Sequence, residues 1–165
     1  MKHNPAYPDT EETIAIDFDG VIHDNNKVRK YPITEVEAYR GEEDLACHAS
    51  KGRTARTEIM YAQGGHIYVY LIYGMYWMLN IVTGNENNPQ AVLIRGIKGY
   101  DGPGKLTREL GIDKSFYGED LCTSPRIWIE SNGEKNSYQT APRIGIDYSG
   151  DLWKTKPWRF FINTF

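Results

Sequence analysis

From Ile33 to Tyr39 apolar and polar residues alternate, the period-two pattern of a half-buried strand that places Ile33, Glu35, Glu37 and Tyr39 on one face. Thr13 to Ile22 reads as another strand with a turn at Asp19-Gly20, and Ala91 to Ile97 as a third. Shorter strands are predicted at Ile127–Glu130, Ile144–Tyr148 and Trp158–Ile162. Lys105 to Leu110 carries a short helical pattern, introduced by the turn Gly102-Pro103-Gly104. Strands dominate, and the strand–helix alternation of a doubly wound sheet is missing. The expected fold is therefore α+β: a mainly antiparallel, curved sheet with short helices at its periphery.

The longest apolar run, Ile67 to Val82, spans 16 residues and contains four tyrosines and a glycine. It is too short for a comfortable membrane span. As two strands joined near Gly74 it becomes a protruding hairpin with Tyr73 and Met75 at the tip and Tyr70 and Asn80 on the flanks. Periodicity alone favours a hairpin whose aromatics all pack into the core. Large side chains left exposed at a tip suit instead a wedge pushed between stacked bases.

Composition changes this picture in one respect. Nineteen Lys+Arg against 22 Asp+Glu give a net charge of −3, which argues against a nucleic-acid partner. Divided by position, residues 1–44 hold 11 acidic and 5 basic side chains, and the rest of the chain is net basic. With 165 residues and 40% apolar content, one domain with a sizeable core is expected. Cys47 and Cys122 stand alone, suggesting neither a zinc site nor a disulfide framework, and a reducing interior is the simplest setting. The N-terminus lacks the apolar core of a signal peptide.

A carboxylate on a strand face can hold and activate water if it is aimed at the reacting carbon and screened from solvent. Glu37, in Glu37-Ala38-Tyr39, is such a candidate. Further blocks follow: His48 with Arg53; Tyr68-Val69-Tyr70 through Tyr73-Gly74-Met75-Tyr76 to Asn80; and Val92-Leu93-Ile94-Arg95. Gly102-Pro103-Gly104-Lys105-Leu106 precedes Gly111-Ile112-Asp113-Lys114-Ser115-Phe116, and Arg143-Ile144-Gly145-Ile146 precedes Lys156-Pro157-Trp158-Arg159-Phe160. In these blocks and their order, about four fifths of the chain resembles the alkyladenine (3-methyladenine) DNA glycosylases. Those monofunctional enzymes excise alkylated or deaminated purines.

The resemblance implies roles residue by residue. Glu37 is the general base for the attacking water, Arg95 a second ligand of that water, and the Ile144 carbonyl a third. Tyr39, His48 and Tyr70 line the base pocket, and Asn80 opposes the exocyclic amine of a normal guanine. Tyr73, with Met75 beside it, fills the gap left in the duplex. Arg53, Arg56, Lys105 and Lys114 match or lie near phosphate contacts. The implied partner is double-stranded DNA containing 3-methyladenine, 7-methylguanine, hypoxanthine or ethenoadenine, bound by a monomer without cofactor, metal or membrane. The setting would be cytoplasmic and nucleoid-associated in a bacterium, or nuclear in a eukaryote.

Two stretches depart from the family pattern. Residues 13–24 resemble the first motif of haloacid-dehalogenase-type phosphatases, with Asp17 as nucleophile and Asp19 as acid/base beside magnesium. The other parts of that chemistry are missing after residue 30. An atypical segment 1–30 ahead of a glycosylase domain 31–165 is therefore the expected organisation. The stretch between Arg95 and Gly102 is also short for the family, which raises the alternative of a catalytically impaired relative that binds damaged DNA. The retention of Glu37 and Arg95 together argues for the enzyme, because neither is needed merely to hold phosphate.

Overall fold

The computed structural model describes residues 20–24 and 29–162. Among them the strands are β1 (Gly20–Asp24), β2 (Arg29–Arg40), β3 (Ile67–Ile72), β4 (Tyr76–Val82), β5 (Gln90–Ile97), β6 (Tyr100–Asp101), β7 (Ile127–Ser131), β8 (Gln139–Ala141) and β9 (Arg159–Phe161). Two short helices, α1 (Pro103–Glu109) and α2 (Asp151–Lys154), lie outside the sheet. All strand pairs are antiparallel, in the order β3-β4-β5-β2-β1-β7, with β6 on β5 and β8-β9 joined to β2. This is the expected α+β architecture. No helix among the described residues is long and apolar enough to cross a membrane.

β2 organises the molecule. Its first residues pair with β1, its later ones pair with β5 along one edge, and Glu35–Glu37 also pair with β9. Such a strand is buried on both faces, not on one as its alternation suggested. The register with β5 is irregular between Ile33 and Val36. Ile33 accordingly joins the core cluster of Val36 and Ala38 and leaves the face carrying Glu37.

One face of the sheet packs Val36, Val69, Leu79 and Ile94 against Leu106 and Leu110 of the α1 region. Burying each such side chain is worth roughly 1.5–3 kcal/mol. A smaller cluster of Cys47, Ala49, Met60, Tyr61, Tyr68, Val82 and Ala91 lies with the connection between β2 and β3.

β4 pairs with β3 along its length but with β5 only over Asn80–Val82, so the β3–β4 hairpin projects past the sheet. α1 supports the projection, Thr107 Oγ1 donating to the Trp77 carbonyl at 2.9 Å. The hairpin closes through Tyr73 (φ 51°) and Gly74 (φ 68°), with the Met75 amide donating to the Ile72 carbonyl at 3.1 Å. Positive φ at both central residues defines a type I′ turn, which suits the twist of paired strands and which glycine enters without strain.

Three sequence expectations need correction. Ile144–Tyr148 forms no strand: Gly145 turns the backbone to φ 75° and a 3₁₀ turn follows at Asp147–Ser149. Of the first predicted strand, residues 13–19 lie outside the described residues; Gly20 is a strand residue and not part of a turn, and the strand reaches Asp24, hydrogen-bonded between β2 and β7. The hairpin aromatics do not all pack inward, since Tyr73 is 85% exposed, with the neighbouring Met75 at 64%. Asp17 and Asp19 lie outside the described residues.

Candidate active site

Antiparallel register draws the site together from distant parts of the chain. Tyr68 pairs with Asn80, Asn80 with Leu93, Leu93 with Glu37 and Glu37 with Arg159, one row across five strands. Directly paired residues share a face. Flanking positions add Tyr39 and Ala91 on one side and Tyr70, Met78 and Arg95 on the other. Loops around His48 and Ile144 complete a cavity of about 530 Å³.

Glu37 has 0% exposure. Its Oε1 accepts the Ile144 amide N–H at 2.7 Å, its Oε2 accepts the Tyr39 hydroxyl at 2.8 Å, and Arg95 Nε lies 3.5 Å from Oε1. Burial pushes its pKa up, opposed first by the Arg95 charge and then by the Ile144 N–H, Tyr39 and Arg143. The result is an oriented carboxylate with raised basicity in a cavity wall, the arrangement a general base requires. Ile144 engages Glu37 through its amide, whereas the family resemblance assigns a role to its carbonyl.

The aromatic lining is fixed from behind. Arg143 lies over the Tyr39 ring at 4.8 Å and Arg56 over the Tyr70 ring at 5.1 Å. His48 Nδ1 is hydrogen-bonded to the Tyr68 hydroxyl at 2.7 Å, and its ring meets the Tyr70 edge at 4.5 Å. Burial, aided by Arg56, lowers the His48 pKa to about 4, so the imidazole is neutral at pH 7. Burial raises the pKa of Tyr39 well above the ordinary phenol range, and pushes Tyr68 and Cys47 up to about 12. The pocket wall thus presents neutral rings and a thiol, with Glu37 and Arg95 as its charged pair. Asn80 is buried, its amide Nδ2 donating to the Tyr68 and Met78 carbonyls at 3.2 and 3.3 Å.

The structure gathers Glu37, Tyr39, His48, Tyr70, Tyr73, Asn80, Arg95 and Ile144 around this cavity. Met75 lines a separate groove with Trp77 and Arg108. Lys105 and Lys114 are exposed away from the lining, and Arg53 is held by Glu58 and Asn87 at 3.0 and 3.2 Å. Sequence reasoning missed Tyr148, which lines the cavity while its hydroxyl donates to the Ala46 carbonyl at 3.2 Å. It also missed the fully buried Asp44–Arg143 pair beneath Tyr39, whose signal is only an Asp closing an acidic run and an Arg 99 positions further on.

Comparison with known proteins gives the same direction as the geometry. The family model described as methylpurine-DNA glycosylase matches residues 19–102 and 98–164. The two segments overlap at residues 98–102, where Lys98-Gly99 joins β5 to β6 in a tight turn. A relative from Methanocella arvoryzae is 44% identical over 149 residues, covering 78% of this chain and 74% of its own. Relatives from Psychrobacter cryohalolentis and Desulfitobacterium hafniense are also 44% identical, over 150 and 158 residues, covering 76% and 79% of this chain and 71% and 77% of their own. All three bear the name "Putative 3-methyladenine DNA glycosylase".

Proposed function

The chain belongs to the methylpurine-DNA glycosylase family of DNA repair, and from that premise we propose that it is a monofunctional glycosylase that flips alkylated or deaminated purines out of duplex DNA and hydrolyses their N-glycosidic bond. The observation that carries this reading is Glu37, fully buried yet lining an open aromatic cavity, with each oxygen already holding one donor. A carboxylate oxygen accepts more than one hydrogen bond, so each keeps acceptor capacity for a water.

A base within the stack is out of reach, and rotating it out costs a few kcal/mol, least for damaged or mismatched pairs. In this reading Tyr73, 85% exposed at the hairpin tip beside the cavity, fills the gap. The extruded purine lies between the cavity faces of Tyr39 and Tyr70, where cation–π attraction favours a base made cationic by alkylation. As the glycosidic bond stretches, C1′ acquires oxocarbenium character. Water held by Glu37 and Arg95 attacks it opposite the departing base, with the proton passing to Glu37, whose negative charge also stabilises the developing cation. The lining contains no lysine among the described residues, consistent with hydrolysis rather than a Schiff-base lyase step.

Duplexes carrying hypoxanthine, 1,N6-ethenoadenine, 7-methylguanine or 3-methyladenine should acquire alkali-labile sites on incubation with the protein. Failure on all four by folded, DNA-bound protein would overturn the reading. Tyr73 also gives a separation of stability from function. Asparagine suits the first central position of a type I′ turn better than tyrosine does. Tyr73→Asn should therefore keep or raise the melting temperature, with a gain of up to about 1 kcal/mol. It should lower excision from duplexes more than from single strands, where no gap has to be filled; equal losses on both substrates would deny Tyr73 the wedge role.

A further inference from the structure

Arg95 is hydrogen-bonded to Glu35, not to Glu37. Its Nε–H donates to Glu35 Oε1 at 3.0 Å, against 3.5 Å to the nearer Glu37 oxygen. Glu35 Oε1 also accepts from Arg159 Nη1 at 3.1 Å, and Arg159 Nε donates to the Pro142 carbonyl at 3.1 Å. The charges therefore alternate as Arg159, Glu35, Arg95, Glu37. The local backbone makes this possible. Glu35 sits in the irregular part of β2 opposite Gly96, where an added Cβ would stand 2.7 Å from Thr34 Oγ1 and 3.2 Å from Glu35 Cβ. A side chain at this position would crowd Thr34 and Glu35, so glycine favours the close approach of β2 that brings Glu35 beside Arg95.

A guanidinium next to a lone buried carboxylate closes onto it in a two-pronged pair. Here Glu37 is held by Ile144 and Tyr39 instead, and the terminal nitrogens of Arg95 have no hydrogen-bond acceptor among the described residues. Resting on the function proposed above, we infer that Glu35 is a positioning residue that holds Arg95 off Glu37, so that guanidinium and carboxylate remain two separate contacts for the attacking water.

The groups facing Glu37 are Arg95 on β5, Tyr39 on β2, Arg159 in register on β9, Tyr70 on β3, and Arg143, the Ile144 amide and Tyr148 on the connection from β8. Glu35 holds both Arg95 and Arg159, but of the two only Arg95 stands within ion-pair distance of Glu37. Without Glu35 its charge falls undivided on Glu37, and an opposite charge at close range lowers a carboxyl midpoint by about 1–3 units.

The test is a carbon-13 NMR titration of the Glu37 carboxyl in the full chain, together with single-turnover excision of hypoxanthine against pH. Glu35→Gln should lower the midpoint by about one unit, move the acid limb of the rate profile with it, and reduce the plateau on the order of tenfold. In the Arg95→Gln background it should add nothing, because it acts through Arg95. Arg159→Gln should move the midpoint upward, since Glu35 then binds Arg95 alone and a cation is lost beside Glu37. An unmoved midpoint in folded Glu35→Gln, or additive rate losses in the double variant, overturns the inference; if Glu35→Gln does not fold, a midpoint in Arg159→Gln that fails to rise does so. The titration needs no substrate. A wild-type protein inert on every lesion would thus overturn the functional reading while the midpoint still decides on Glu35.

Discussion

Glu37→Gln is expected to reduce single-turnover excision by roughly 10²–10⁴-fold, the contribution of a positioned general base, while leaving affinity for lesion duplexes unchanged. Glutamine is isosteric with the carboxylate. Its carbonyl oxygen can still accept the Ile144 N–H, and its amide can donate to the Tyr39 hydroxyl, which then acts as acceptor. What is lost is the capacity to take a proton from water and to face a developing positive charge. A catalytically impaired DNA-binding relative would behave differently, because the wild type would already be inert and the substitution would change nothing. Excision at the wild-type rate by the variant would remove Glu37 from the role of base.

The same substitution should raise thermal stability at neutral pH. Burial raises the Glu37 pKa above its unfolded value, so between the two values the native state binds more protons than the unfolded chain. Stability conferred by the protonated form is complete below the unfolded pKa and is lost as pH rises through the native one. Glutamine never carries the charge. Its advantage in melting temperature is therefore expected above the native midpoint, and it should fade as pH falls toward about 4.3, the ordinary value for glutamate. Thermal melts of both proteins across that window measure it. A buried ionised residue kept for chemistry lowers stability in this way.

Much of the cavity floor was legible in the sequence because strand periodicity is local. The hairpin could be placed from Gly74 and the flanking apolar run, and the helix after Pro103 from its turn residues. The contacts that hold Glu37 were not legible from periodicity. Ile144 lies in an Ile-x-Ile pattern that suggests a strand, yet its amide is spent on a carboxylate 107 positions away and Gly145 turns the chain aside. Glu35 and Ile33 share the apparent parity of Glu37, and an irregularity of register separates Ile33 from it. Strand alternation predicts faces only while register is kept. The family resemblance supplied the roles that periodicity could not, but Glu35, Tyr148 and the Asp44–Arg143 pair emerged only from three-dimensional contacts.

Asp44→Ala is expected to have the largest effect on stability, about 3–5 kcal/mol, the loss typical of a buried ion pair deprived of one partner. Both side chains of the pair are at 0% exposure. Arg143 donates to Asp44 Oδ2 at 2.5 Å through Nη1 and to Oδ1 at 2.9 Å through Nη2, and Nη1 also reaches the Ala38 carbonyl at 3.0 Å. Asp44 further accepts the Arg40 and Ala46 amides at 3.1 and 3.0 Å. Alanine strands a buried guanidinium and two backbone donors, and for a chain of this size the melting temperature should fall by about 10 °C or more. Asp44→Asn keeps acceptors for the backbone and should lose less. In Asp44→Asn/Arg143→Met no unpaired charge is buried, so much of the stability should return. Excision should not return with it, because Arg143 also lies over Tyr39 and directly precedes Ile144, whose amide orients Glu37. Thermal melts and single-turnover rates on the three variants separate these effects. Recovery of both together would mean that the pair serves the fold alone, whereas recovery of stability without rate places it beneath the general base as its support.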